Sequence, residues 1–86
     1  MKLIFCKSCQ DVVRLTGHLR KCQCGECWGV YTDGLYAKVS ESSVVLGFSN
    51  PSFVRALHNP PTDPDGPGKR FEAFVIPDGC KTVKKE

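Results

Sequence analysis

No apolar run in this 86-residue chain approaches the ~18 residues of a membrane-spanning helix, which excludes a helical membrane anchor within it. The opening Met1-Lys2-Leu3-Ile4-Phe5-Cys6 places one charge and an apolar run of three residues, Leu3 to Phe5, ahead of the first cysteine, well short of the ~7–15 apolar residues of a secretory leader. A cytoplasmic protein without a membrane partner is expected. Histidine is scarce, with only His18 and His58 present. Ser40, Ser42 and Ser43 have no histidine near them in sequence, and Asp63 and Asp65 fall in a Pro/Gly-rich stretch. Catalysis needs a nucleophile with a base, paired carboxylates or a metal with an open position, so the chain reads as no enzyme. No internal repeat is visible, and the length points to a single domain over 1–86.

Cysteine is abundant instead. Five of the six cysteines lie in the first 27 residues as Cys6-x2-Cys9, twelve residues, then Cys22-x-Cys24-x2-Cys27. Two close groups separated by a short span are the spacing of a four-sulfur zinc site, and a disulfide framework belongs to secreted chains. A domain this small buries only about 60–65% of its unfolded surface, so a metal staple matters. Structural zinc contributes roughly 10–16 kcal/mol of apparent binding free energy in small peptides, against a net domain stability of about 5–15 kcal/mol. Five sulfurs compete for four positions. Cys6, Cys9 and Cys24 belong to either version of the site. Gly25, directly after Cys24, suits a left-handed turn that aims amide N–H groups at sulfur and favours Cys22, while bulky Trp28 after Cys27 argues against Cys27, the alternative to Cys22. The expected ligands of Zn2+ are thus Cys6, Cys9, Cys22 and Cys24. His18 is four residues from Cys22 along a strand, about 13 Å away at ~3.4 Å per residue, and out of reach of a metal there. Cys27 then reads as a packed thiol and Cys80 as an exposed one beside the basic tail.

The formal charge is +3, and the excess sits in residues 1–27, where Lys2, Lys7, Arg14, Arg20 and Lys21 face only Asp11 and Glu26. Four thiolates on one Zn2+ add a net charge of about −2, leaving little overall attraction for a phosphate backbone. A strip of Arg14, Arg20, Lys21 and His18, with Trp28 or Tyr31 as stacking platforms, is the candidate nucleic-acid surface.

Along the chain, Val12 to Leu15 and His18 to Arg20 flank Thr16-Gly17, which predicts a hairpin arm within a metal-binding ribbon over 1–27, ending near Trp28. Residues 28–80 are expected to form an antiparallel meander, with strands at Trp28 to Tyr31, Leu35 to Val39 and Val44 to Phe48, followed by a helix over 51–58. Asn50 is a candidate cap and Pro51 suits the first helical position, while Phe53, Val54 and Leu57 share one face that would lie on the sheet. His58 would complement the helix dipole. The stretch 59–69 holds four prolines and two glycines and must be an exposed loop. Arg70 to Ile76 restores strand character, and 81–86 reads as a frayed tail. The fold class is therefore α+β: a small zinc-ribbon hairpin with an antiparallel sheet and one short helix.

Through Cys6-x2-Cys9, Lys21-Cys22-Gln23-Cys24-Gly25, Gly29-x-Tyr31-x-Asp33-Gly34-Leu35, Gly47-Phe48-x-Asn50-x-Ser52-Phe53-Val54 and Phe71-x-Ala73-Phe74-Val75-Ile76-Pro77, the chain resembles small zinc-ribbon-like proteins of bacteria and their phages. The resemblance spans nearly the whole sequence. It implies a Cys-x-Cys-Gly second turn, with Cys22 and Cys24 as ligands, and a phage- or host-interaction setting. That group has no settled activity, so no mechanism is transferred. The expected function is a non-catalytic, zinc-stabilised protein-binding module, the loop 59–69 beside a rigid ribbon being one docking surface. The alternative is a nucleic-acid-binding ribbon that uses its basic face.

Overall fold

Short runs of β-branched, leucine and aromatic residues between Gly, Asp and Ser turns are too brief for helices and build strands. In the computed structural model, which describes residues 1–86, these are β1 (Lys2–Phe5), β2 (Val12–Arg14), β3 (Arg20–Lys21), β4 (Trp28–Tyr31), β5 (Ala37–Val39), β6 (Val44–Phe48), β7 (Ala73–Val75) and β8 (Val83–Lys85). One helix, α1 (Asn50–His58), lies between β6 and β7. The strands form two four-stranded sheets. One has the order β2-β1-β6-β7 and is antiparallel throughout; the other has the order β3-β4-β5-β8, with β5 and β8 parallel. The fold class is α+β.

The hairpin expected around Thr16-Gly17 is replaced by something else. β2 pairs with β1 and β3 pairs with β4, so the strands flanking Thr16-Gly17 belong to different sheets. The reason is local. Each cysteine group closes its own hairpin, through Cys6 N–H to the Asp11 carbonyl (3.0 Å) and Cys22 N–H to the Cys27 carbonyl (2.9 Å). Residues 15–19 become a crossing segment, anchored where the Leu15 N–H donates to the Lys2 carbonyl and the Thr16 carbonyl accepts from Tyr31. Leu15 lies so close over Gly29 that a Cβ there would meet its Cδ2 at 2.5 Å, which locks the two sheets together. The expected boundary near Trp28 falls inside the β3–β4 hairpin and separates nothing. The expected 28–48 meander is likewise corrected. β6 leaves β5 and pairs with β1 and β7, the chain changing sheets at the buried Ser40 and Ser43, whose hydroxyls are hydrogen-bonded at 2.5 Å.

Burial alternates along β5 and β6, with Ala37, Val39, Val45 and Gly47 buried and Lys38, Leu46 and Phe48 less so; only on β5 does the sequence itself alternate. The core joins Ile4, Val13, Leu15, Ala37, Val39 and Val45 to the sulfurs of Cys6, Cys22 and Cys27.

Three expectations for the second half change. Helix α1 buries no residue: Val54 is 44% and Leu57 58% exposed, and only Phe53 docks, its ring 5.6 Å from Phe48 and 4.8 Å from Phe71. Its N-cap is Ser49, since Asn50 turns its Oδ1 to the chain's N-terminal amine at 3.0 Å. The strand expected over 70–76 shortens to Ala73–Val75, because the aromatic contacts of Phe71 and the Glu72 N–H bond to Ser52 Oγ hold the preceding residues to the helix. The tail expected to fray instead supplies β8. Val83 packs against the core, the Glu86 N–H donates to the Val39 carbonyl at 2.9 Å, and Lys85 pairs with Asp78 at 2.6 Å.

Candidate metal centre

The two cysteine turns face each other, one leading from β1 to β2 and one from β3 to β4. They share a construction. The residue after the second sulfur of each has a left-handed backbone, Gln10 at φ 60° and Gly25 at φ 81°. That conformation lets the turn's amides point inward, and at Gln10 a side chain must tolerate it. The expectation for Gly25 holds; the matching strain at Gln10 carried no sequence signal.

The Sγ atoms of Cys6, Cys9, Cys22 and Cys24 all lie within 4.8 Å of one another. Cys6 Sγ is 3.7 Å from Cys24 Sγ, and Cys22 Sγ is 3.5 Å from Cys24 Sγ. A tetrahedron of ~2.3 Å metal–sulfur bonds has edges of about 3.8 Å, so the four sulfurs fit a tetrahedral ion such as zinc in spacing as well as in number. These four residues could hold a metal ion. Cys6 and Cys22 are buried, Cys9 is half-buried and Cys24 is exposed, which places the cluster at the rim of the core.

Cys27 stands outside this set, and the turn geometry says why. It ends the second turn just as Asp11 ends the first, so its side chain enters the core at 1% exposure, with Sγ 3.5 Å from Ser42 Oγ. Its backbone N–H instead donates to Cys22 Sγ at 3.3 Å, the kind of amide contact that steadies a thiolate ligand. His18 is exposed on the crossing segment and lies outside the cluster, as do His58 and Cys80.

Two polar bridges tie the turns together independently of any ion. The Asp11 carboxylate accepts the Gln23 N–H at 2.9 Å, and Ser8 Oγ donates to Glu26 Oε2. Sequence reasoning missed both. The signal was present: Asp11 and Glu26 are the two acidic residues of the first 27, and each follows the second sulfur of its turn by two positions.

The thiols do not titrate alike. Cys9 is lowered from its ordinary value, first by the Cys24 N–H and then by that of Asp11. At Cys22 burial is the largest influence and opposes ionisation, but the Cys27 N–H and the neighbouring Cys24, Cys6 and Cys9 thiols outweigh it and bring the group to about 6. Cys6 moves the opposite way: the Cys9 N–H favours its thiolate, yet burial and adjacent thiols leave it at about 12. Cys24 is also raised, the Glu26 N–H being overcome by the Cys22 thiol and by burial. Four sulfurs this close cannot all ionise by themselves, and a divalent cation is the partner that lets them.

The basic side chains Arg14, His18, Arg20 and Lys21 are all exposed, and Arg20 Nη1 donates to the Arg14 carbonyl at 3.1 Å across the crossing segment. Trp28 and Tyr31 are only half-exposed; the Tyr31 hydroxyl accepts the Lys2 N–H at 2.9 Å, and Lys2 Nζ sits 5.5 Å from its ring centroid. No helix is long and apolar enough to cross a membrane. Comparison with protein-family models, curated proteins and solved structures finds no match for this chain.

Proposed function

We infer that the chain is a non-catalytic, zinc-stabilised protein-binding module of the zinc-ribbon kind. The carrying observation is the mutual 4.8 Å limit of the Cys6, Cys9, Cys22 and Cys24 sulfurs. Four thiolates complete a tetrahedral shell and leave no position for substrate, which makes the ion structural. Zinc is the ion this all-sulfur set suits best, and two turn-bearing hairpins facing one site are the ribbon arrangement in its two-hairpin form. An all-cysteine metal site, with Cys27 and Cys80 outside it, suits a reducing compartment.

Binding rather than chemistry is supported by α1, which buries none of its residues and displays Val54 and Leu57 to solvent. A helix of nine residues is marginal unless its apolar side is covered. The test is affinity capture from the native source with zinc-loaded protein and mass spectrometry, repeated with Leu57→Lys. A saturable protein partner, lost in the variant and only weakly salt-sensitive, is expected. Absence of any saturable protein partner would contradict the reading.

A second reading, a nucleic-acid-binding ribbon, is favoured by one observation, the hydrogen bond that brings the Arg20 guanidinium to the backbone of the exposed Arg14. Fluorescence anisotropy with short DNA and RNA at two salt concentrations separates the two. Submicromolar, steeply salt-dependent binding that disappears in an Arg14→Ala, Arg20→Ala, Lys21→Ala variant would put this reading first.

A further inference from the structure

The sulfur cluster is buried unevenly. Cys6 is 1% and Cys22 5% exposed, Cys9 is half-buried, and Cys24 alone of the four is open to solvent. A reagent arriving from water therefore meets Cys24 first. Behind it the Sγ atom already touches two deeper sulfurs, Cys22 Sγ at 3.5 Å and Cys6 Sγ at 3.7 Å. An oxidised sulfur in that position has a resolving thiolate beside it and needs no large movement to form a disulfide. Cys80, the other accessible thiol, is placed differently. It is half-buried outside the cluster, and its Sγ contacts the Thr82 hydroxyl at 3.3 Å rather than another sulfur.

The turns that carry these sulfurs are also joined by bonds that contain no sulfur. The Gln23 N–H donates to the Asp11 carboxylate at 2.9 Å, and Ser8 Oγ donates to Glu26 Oε2. Oxidation at Cys24 leaves both bonds untouched, so the two turns stay face to face while sulfur chemistry takes place between them. Gln23 and Glu26 flank Cys24 in the chain, which fixes the exposed sulfur over its two partners rather than letting it swing into solvent.

We propose that the cluster is a peroxide-responsive switch: Cys24 is the sulfur that a hydroperoxide oxidises, a disulfide from Cys24 to Cys22 or Cys6 follows, and the metal ion is released. This rests on the zinc-site reading above. The Cys24 thiolate attacks the hydroxyl oxygen of the hydroperoxide; an S–O bond forms, the O–O bond breaks, and the departing alkoxide or hydroxide takes up a proton. The neighbouring thiolate then attacks Cys24 Sγ; an S–S bond forms, the S–O bond breaks, and the hydroxide that leaves takes up a second proton. Two thiolates have lost two electrons, and the peroxide has gained them to end as water with an alcohol or a second water. Half of the four-sulfur shell is then consumed, which is too few ligands for a structural zinc ion. A dithiol reductant returns both thiols, so the change is reversible. Because the ion holds the sheets together, the switch acts on the whole fold and on the surface it displays.

The test is a graded hydrogen peroxide titration of the zinc-loaded full chain. Released zinc is read with a chromogenic chelator, and disulfides are mapped by mass spectrometry in the same samples. One zinc released per disulfide is expected, with Cys24 in that disulfide and Cys22 or Cys6 as its partner. Dithiothreitol with added zinc should restore the full metal content. Cys80→Ser, which removes the accessible thiol outside the cluster, should leave the release curve unchanged. Zinc retained at peroxide levels that oxidise Cys80 would overturn the proposal. So would release with Cys24 absent from the disulfide, release that reductant and zinc do not reverse, or release that Cys80→Ser prevents. Protein that carries no zinc before peroxide is added fails the zinc-site reading itself, and the switch with it, so the two failures are told apart.

Discussion

The two halves of this chain are built differently. Every buried residue lies between Leu3 and Gly47, and none is buried from Phe48 to the C-terminus. In the first half two cysteine turns, a sulfur cluster and the apolar faces of both sheets form one continuous core. In the second half the helix is attached through Phe53, Phe48 and Phe71, and β7 and β8 are added to existing edges. Stability and display are thus divided along the sequence. The half that holds the sulfurs keeps the fold, and the other half presents surface.

The largest test of that division compares two buried cysteines of the first half. Cys22→Ser should abolish stoichiometric zinc binding and unfold the domain, because a structural ion contributes on the order of 10 kcal/mol to so small a fold. Cys27→Ser should retain one zinc per chain, its hydroxyl facing Ser42 where the thiol now lies. Metal analysis and circular dichroism read both outcomes. Equal metal loss in the two variants would move Cys27 into the ligand set.

Next in size is Ile4→Ala. Ile4 is fully buried at the centre of the core, and the change should cost about 2–5 kcal/mol in urea unfolding of zinc-loaded protein.

A smaller change of opposite sign is expected at Gln10. Its left-handed backbone costs a side-chain-bearing residue about 1–2 kcal/mol, partly offset by the freedom glycine loses on folding. Gln10→Gly should therefore raise stability by up to about 1 kcal/mol, whereas a loss would mean that the side chain has a contact of its own.

Smallest is Leu57→Ala, expected within about 0.5 kcal/mol because the side chain is 58% exposed. A loss approaching that of Ile4→Ala would erase the contrast between the halves.

The cysteine set, the positive φ at Gly25 and the strand at Val44 to Phe48 were legible because each is a local rule: spacing, turn conformation and a short apolar run between turns. The Leu35 and Tyr36 N–H groups both donate to Asp33 Oδ1 at 2.9 Å, the side-chain-to-backbone turn that an Asp-Gly dipeptide favours. Pairing was not legible. β1 meets β6 across some forty residues, and nothing in Lys2 to Phe5 distinguishes that partner from a nearer one. The helix shows a complementary limit. Phe53, Val54 and Leu57 have helical spacing whether or not anything covers them, so period alone could not reveal that only Phe53 docks. In the tail, Val83 is the single apolar anchor among lysines, too little pattern to announce β8.

Whether one ion on Cys6, Cys9, Cys22 and Cys24 holds both sheets together is read by chelator titration of protein purified without chelator. Zinc release and far-ultraviolet circular dichroism are followed in the same sample. One zinc per chain is expected, with the strand signal lost in step with zinc release. A chain that carries no metal, or one that keeps its full strand signal once the zinc is gone, would contradict it.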